Sequence, residues 1–161
     1  GIQHYVKQLV TIDTLFDALP AQGVRTALVA RDDSSMALIF TGRPITYYNR
    51  EESDESAVQQ GLRLIKEGEH EVVVVYNMDY DDAIHDTEPE SQRSIAALER
   101  HINDFSRLVS EAKRSWSGYD TLFVFAPDHG IHKTYDGGGD HFCDSPEDMN
   151  VLHFYGFDPA R

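Results

Sequence analysis

The sequence predicts an α/β fold: a largely parallel sheet with helices on both faces. Three observations lead there. Apolar stripes at helical spacing alternate with short apolar runs of strand length. The run Val72-Val73-Val74-Val75 is β-branched throughout and lacks polar alternation, as in a strand covered on both faces. Segments long enough for a crossover helix separate the strand candidates, the mark of βαβ units.

Taken in order, Ile12, Leu15, Phe16 and Leu19 form a first helical stripe, with Thr11 or Asp13 as cap and Pro20 and Gly23 as stop signals. Arg25 to Ala30 reads as a buried strand, and Met36 to Phe40 as a second one. Arg50 to Glu55 reads as an acidic loop. Val58, Leu62 and Ile65 make another helical stripe, capped by Ser53 or Asp54 and closed by Gly68. Glu71 to Tyr76 is the Val-rich strand. From Pro89 to Trp116, Ile95, Leu98, Ile102, Phe105, Val109 and Ala112 recur at three-or-four spacing, predicting a long amphipathic helix. Thr121 to Ala126 is a further core strand, and Val151 to Tyr155 a short last one. No repeat and no shift in composition divides the chain, so residues 1–161 are expected to form a single α/β domain.

Composition narrows the function. The 161 residues carry 14 Lys plus Arg against 28 Asp plus Glu, a formal charge of −14. Such a chain repels phosphate backbones and anionic lipid, which argues against nucleic-acid or membrane-surface binding. No apolar run approaches the roughly 20 residues that span a bilayer, and the first ten residues lack a signal-peptide core. The single Cys143 has no internal disulfide partner, which fits a reducing, cytoplasmic setting.

Chemistry-bearing residues gather after the strands. Tyr76-Asn77-Met78-Asp79-Tyr80-Asp81-Asp82-Ala83-Ile84-His85 follows the Val-rich strand, Pro127-Asp128-His129-Gly130 follows the next core strand, and Gly137-Gly138-Gly139-Asp140-His141 comes shortly after. In open α/β sheets, sites form at the carboxyl ends of strands. Carboxylates with neutral imidazoles suit Zn²⁺ or Mn²⁺, and a pair of such ions clamps a phosphoryl group. Asp81 and His85 share a face if helical, although Asp79 and Asp82 rival Asp81 and an isolated D-x-x-x-H is commonly just solvated. Asp128-His129-Gly130 needs a turn to present both side chains, for which Gly130 supplies freedom; the plain alternative is an Asp capping the next helix. His132 and His153 are spare imidazoles, with His153 expected as a structural residue of the last strand. The glycine triplet also suits a flavodoxin-like phosphate loop, but no convincing helix start follows it.

The order D-x-x-x-H, strand-D-H-G, then G-x-D-H resembles the alkaline phosphatase superfamily, nearest the branch of phosphopentomutase and cofactor-independent phosphoglycerate mutase, with nucleotide pyrophosphatase/phosphodiesterases and sulfatases as cousins. The resemblance runs from about Thr11 to Phe157. Thr14 to Ala27 is similar to the helix-then-strand unit after the family's nucleophile, and the stretch around Ala97, Leu98 and Asp104 to the helix after its first metal motif. The resemblance implies an alkaline phosphatase-like fold and two divalent metal ions, Zn or Mn, in the complete enzyme. Asp81, His85 and His141 would hold one; Asp128 and His129 would supply half of the second. The implied substrate is a small-molecule phosphate or sulfate ester. The family's remaining second-site Asp and its Ser or Thr nucleophile have no counterpart here, because Thr11, Thr14, Ser34 and Ser35 sit in the wrong context, and Asp86-Thr87-Glu88 lacks a Gly common in some branches. The chain is therefore expected to be the carboxyl-terminal part of a larger metalloenzyme, inactive by itself. The competing expectation is a non-catalytic metal-binding or interaction domain on the same fold.

Overall fold

A computed structural model describes residues 12–32, 34–45, 47–141 and 143–161. The chain is mixed α/β, with helices and small sheets. Among the described residues, contacts group the chain into two compact units: 12–78 with Ser110–Trp116, and Asp79–Val109 with Ser117–Arg161.

The first unit runs α1 (Leu15–Ala21), β1 (Thr26–Arg31), α2 (Ser35–Ile39), β2 (Tyr47–Glu51), α3 (Asp54–Glu67) and β3 (Val72–Tyr76). Its strands form one parallel sheet in the order β2-β1-β3, with Ala27 opposite Tyr47 on one side and Val73 on the other. The central strand is β1, whose Ala27, Leu28, Val29 and Ala30 are fully buried. The strand covered on both faces is thus β1 and not the Val-rich run, which lies at the sheet margin among the described residues and is half-buried along its length. Ala57 and Leu64 of α3 pack on Ala27 and Val29, with Val73 and Val75 alongside. Burying a side chain such as Leu64 contributes about 1.5–3 kcal/mol. Helices α1 and α2 also pack against β1.

Local signals set the helix ends. Ser53 caps α3 by accepting from Ser56 N, and Gly68 closes it with φ 68°. Asp54, buried in the first turn of α3, accepts the Met78 N–H with both oxygens at 3.0 and 2.8 Å, fixing the chain where it leaves β3. The cap of α1 is Thr14, not Asp13; Thr11 lies outside the described residues. Asp17 reaches back to Thr14 N and Oγ1 at 2.8 and 2.7 Å and receives Arg43 Nη1 at 2.6 Å.

Two elements differ from expectation in this unit. Met36 to Phe40 is no strand: Ser34 accepts from Ala37 N at 3.0 Å and caps the short helix α2 over that stretch. An apolar run of five residues suits either state, and the cap decides it. Arg50 and Glu51 are not loop but the end of β2, held there by pairing with Ala30 and Arg31; Asp54 and Glu55 are already helical.

The second unit holds α4 (Asp79–Asp86), α5 (Gln92–Ser115, whose last residues from Ser110 belong to the first unit), β4 (Thr121–Phe125), β5 (His132–Lys133), β6 (Gly139–Asp140), α6 (Pro146–Met149) and β7 (Phe154–Asp158). Ser91 caps α5 by accepting from Ser94 N at 3.0 Å, and Ser94 donates to Glu88 O at 2.7 Å, closing the turn from α4. Ala83, Ile84 and Ala97 are buried, and the Phe105 ring of α5 packs 5.3 Å from Phe125 of β4. Strand β4 pairs antiparallel with β7, and β5 with β6, so the parallel arrangement is confined to β1–β3 among the described residues. Pattern alone identifies a strand, not its partner. The last strand starts at Phe154, so Val151 and Leu152 precede it. Among the described residues, no helix is long and apolar enough to cross a membrane.

The Arg43 and Thr14 hydrogen bonds hold the Asp17 carboxyl down at about 2, below its ordinary 3.8. A depressed carboxyl pKa stabilises the fold fully above the unfolded value, and this support fades as pH falls towards 2. Urea unfolding of Asp17→Asn should therefore lie below wild type at pH 5, with the gap closing by pH 2; a pH-independent gap would contradict it.

Candidate metal centre

Helix α4 puts Asp81 and His85 one turn apart on one face. The loop after β4 brings His129, and the strand β6 ends directly before His141. All these elements belong to the second unit. Residues far apart in sequence meet there: His85 Nε2 lies 3.0 Å from His141 Nε2, and Asp81 Oδ1 lies 3.2 Å from His141 Nε2, 3.5 Å from His85 Nε2 and 3.8 Å from His129 Nε2. The rings of His129 and His141 stack with centroids 3.8 Å apart.

The protons of two of these rings follow from their other nitrogen. His85 Nδ1 faces Gly139 O at 3.2 Å, and His129 Nδ1 faces Gly130 O at 2.9 Å. A carbonyl oxygen only accepts, so each Nδ1 carries a hydrogen, and in the neutral imidazole the Nε2 lone pair is left towards the centre. His141 is buried, and its pKa is lowered from 6.5 by desolvation first and then by the neighbouring His129 and His85, which Asp81 only partly opposes. It is neutral at pH 7. Asp81 Oδ1 is buried and accepts no hydrogen bond despite the three nitrogens around it.

A carboxylate oxygen and imidazole lone pairs converge there, and among the neutral rings at most one hydrogen, on His141 Nε2, lies between them. A divalent cation reconciles them. Ligand atoms about a tetrahedral ion with bonds of roughly 2.0–2.1 Å are about 3.3 Å apart, within the spread seen here. The donor set therefore fits Zn²⁺ or a similar ion, and the carbonyls behind His85 and His129 are the outer contacts that orient such ligands.

Asp81, His85, His129 and His141 come together. Asp128 stands beside them, its Oδ1 3.7 Å from His129 Nε2 and its side chain half exposed, so His129 faces both carboxylates. Asp79 turns to Arg100 instead, at 3.6 Å. His153 precedes the last strand instead of lying in it, and its Nε2 donates to Pro127 O at 3.0 Å.

Several residues escaped the sequence. Asp140 offers a carboxylate within reach of His85 and His141, and its Oδ1 accepts the His141 N–H at 2.8 Å; the adjacent Asp-His pair was the available signal. Asp148 had none. Buried, it accepts from Gly130 N through its carbonyl at 2.8 Å, from Cys143 N through Oδ2 at 2.7 Å and from His132 Nδ1 through Oδ1 at 2.8 Å, joining the loop of His129 to that of His141. Gly130 is needed for a reason other than conformational freedom. A Cβ there would sit 1.9 Å from Glu147 O, so the chain approaches too closely for any side chain. Gly139 is similar, with Ile84 O at 2.8 Å and Pro89 Cδ at 3.0 Å from a Cβ.

No family model and no curated protein matches this sequence.

In calorimetric titration with Zn²⁺, His85→Ala and His141→Ala should each weaken the tightest binding event by more than the 10–100-fold typical of an outer-shell change. His132→Ala and His153→Ala should leave that event alone, and an equal loss in His132→Ala would dissolve the assignment. Gly139→Ala should wedge β6 from α4, costing about 1–3 kcal/mol in chemical denaturation and weakening the same event; unchanged stability would show that the contact yields freely.

Proposed function

We propose that this chain is the metal-binding part of a phosphoryl- or sulfuryl-transfer enzyme of the alkaline phosphatase type, acting on a small-molecule phosphate or sulfate ester. The supporting observation is the buried Asp81 oxygen surrounded by three imidazole nitrogens. The order of the D-x-x-x-H, D-H-G and G-x-D-H motifs supports it independently. Asp81, His85 and His141 would hold one Zn²⁺ or Mn²⁺; Asp128 and His129 would supply half of a second site.

When bound, such ions polarise a phosphoryl oxygen and offset charge on the transferring group. The residues of this chain bind and orient. Gly139 O and Gly130 O hold a hydrogen on Nδ1 of His85 and His129, so the neutral ring offers its Nε2 as the ligand atom. Burial keeps His141 neutral. Asp81 and Asp128 bring negative charge that balances the cations, which accounts for part of the acidic composition. No Ser or Thr of the chain is assigned as nucleophile, so turnover is not expected of it alone. The lone cysteine supports a cytoplasmic setting.

The test is calorimetry with inorganic phosphate on metal-free, Zn²⁺-loaded and Mn²⁺-loaded chain. Phosphate should bind only the loaded forms, the loaded His85→Ala variant should lose it, and 4-nitrophenyl phosphate should not be hydrolysed. A loaded chain that ignores phosphate would leave a metal-binding domain without the transfer role.

A further inference from the structure

His132, Cys143 and Asp148 form a second cluster that the centre around Asp81 does not use. Ligand atoms of the three lie within 4.8 Å of one another. Asp148 is buried, and both its oxygens are engaged, Oδ1 with His132 Nδ1 at 2.8 Å and Oδ2 with Cys143 N at 2.7 Å. Burial works against its charge, but the hydrogen bonds from His132 and Cys143 prevail and hold it below the usual carboxylate range. An ionised carboxylate only accepts, so His132 Nδ1 carries a hydrogen, and in the neutral imidazole the Nε2 lone pair faces away from it. What it faces is Cys143 Sγ, 3.8 Å off and exposed.

We propose a separate divalent-metal site of borderline-soft character, with His132 Nε2 and Cys143 Sγ as ligands and Asp148 as the carboxylate behind the imidazole. Sulfur and nitrogen on one tetrahedral zinc ion, at bonds of about 2.3 and 2.0–2.1 Å, stand about 3.6 Å apart. The observed separation needs little adjustment. A carboxylate on the far ring nitrogen is the usual outer partner of a zinc-bound histidine, fixing its tautomer and raising its basicity. The thiol releases its proton to solvent on binding, no oxidant or reductant is involved, and water takes the remaining positions. Two protein ligands make this site weaker than the one around Asp81, so it fills second. Its thiolate distinguishes it chemically, because the first centre contains no sulfur.

Cobalt(II) reads that difference directly. Titrating the metal-free chain with Co²⁺ should give thiolate-to-cobalt charge-transfer absorption in the near ultraviolet only after the first equivalents have bound. Cys143→Ser, close in size, should abolish the band while retaining cobalt at the first centre. Asp148→Asn should weaken the second event 10–100-fold. As Cys143 is the only cysteine, its alkylation by iodoacetamide should slow in wild type when Zn²⁺ saturates the chain, and His132→Ala should lose that protection. A saturated wild type without the band, or a band that survives in Cys143→Ser, overturns the proposal. Loss of the first cobalt event with the second intact would instead count against the Asp81 centre, so the two sites fail separately.

Discussion

A carboxylate oxygen enclosed by imidazole nitrogens is stable only if a positive charge is shared among them. Around Asp81 Oδ1 that charge does not come from neutral His85 or His129, whose hydrogens sit on the nitrogens facing backbone carbonyls. Nor does it come readily from His141, which burial keeps neutral. The one helix and two loops that deliver these groups thus bring a carboxylate and imidazole lone pairs together. Repulsion between facing lone pairs must be overcome by the packing behind them: Ile84 and Ala83 under α4, and the glycine contact that sets β6 against it.

Those loops are held more by backbone and side-chain hydrogen bonding than by apolar burial. Asp148 gathers three segments at once, and its negative charge is compensated locally by His132 and the Cys143 amide. Hydrogen bonds to an ionised acceptor contribute about 1.5–3 kcal/mol each, well above neutral ones. One residue on a short helix can therefore stand in for the hydrophobic layer that a loop region lacks.

The sequence made the regular elements legible where period and punctuation agree. Strand β1, the Val-rich β3 and helix α3 with its Ser53 cap and Gly68 stop follow from residue type alone. Much of the candidate cluster was legible too, because a four-residue spacing on a helix and an Asp-His pair shortly after a strand constrain geometry locally. Pairing was hidden: nothing in Phe154-Tyr155-Gly156-Phe157 says that it will lie antiparallel beside Leu122 and Val124. Short apolar runs were ambiguous, and Ser34 tipped Met36 to Ile39 into a helix. Asp148 was illegible because its role depends on the meeting of loops that only the folded chain brings together.

The close passage of residue 130 against Glu147 has a wider consequence. No L-amino acid larger than glycine fits beneath that carbonyl without moving the short helix α6, and with it the carboxylate that braces both loops. The position is in effect a gauge of homology in three dimensions. A related chain that keeps glycine after its Asp-His pair can keep this loop crossing, whereas one with any side chain there has to route the polypeptide differently, however well its imidazoles align.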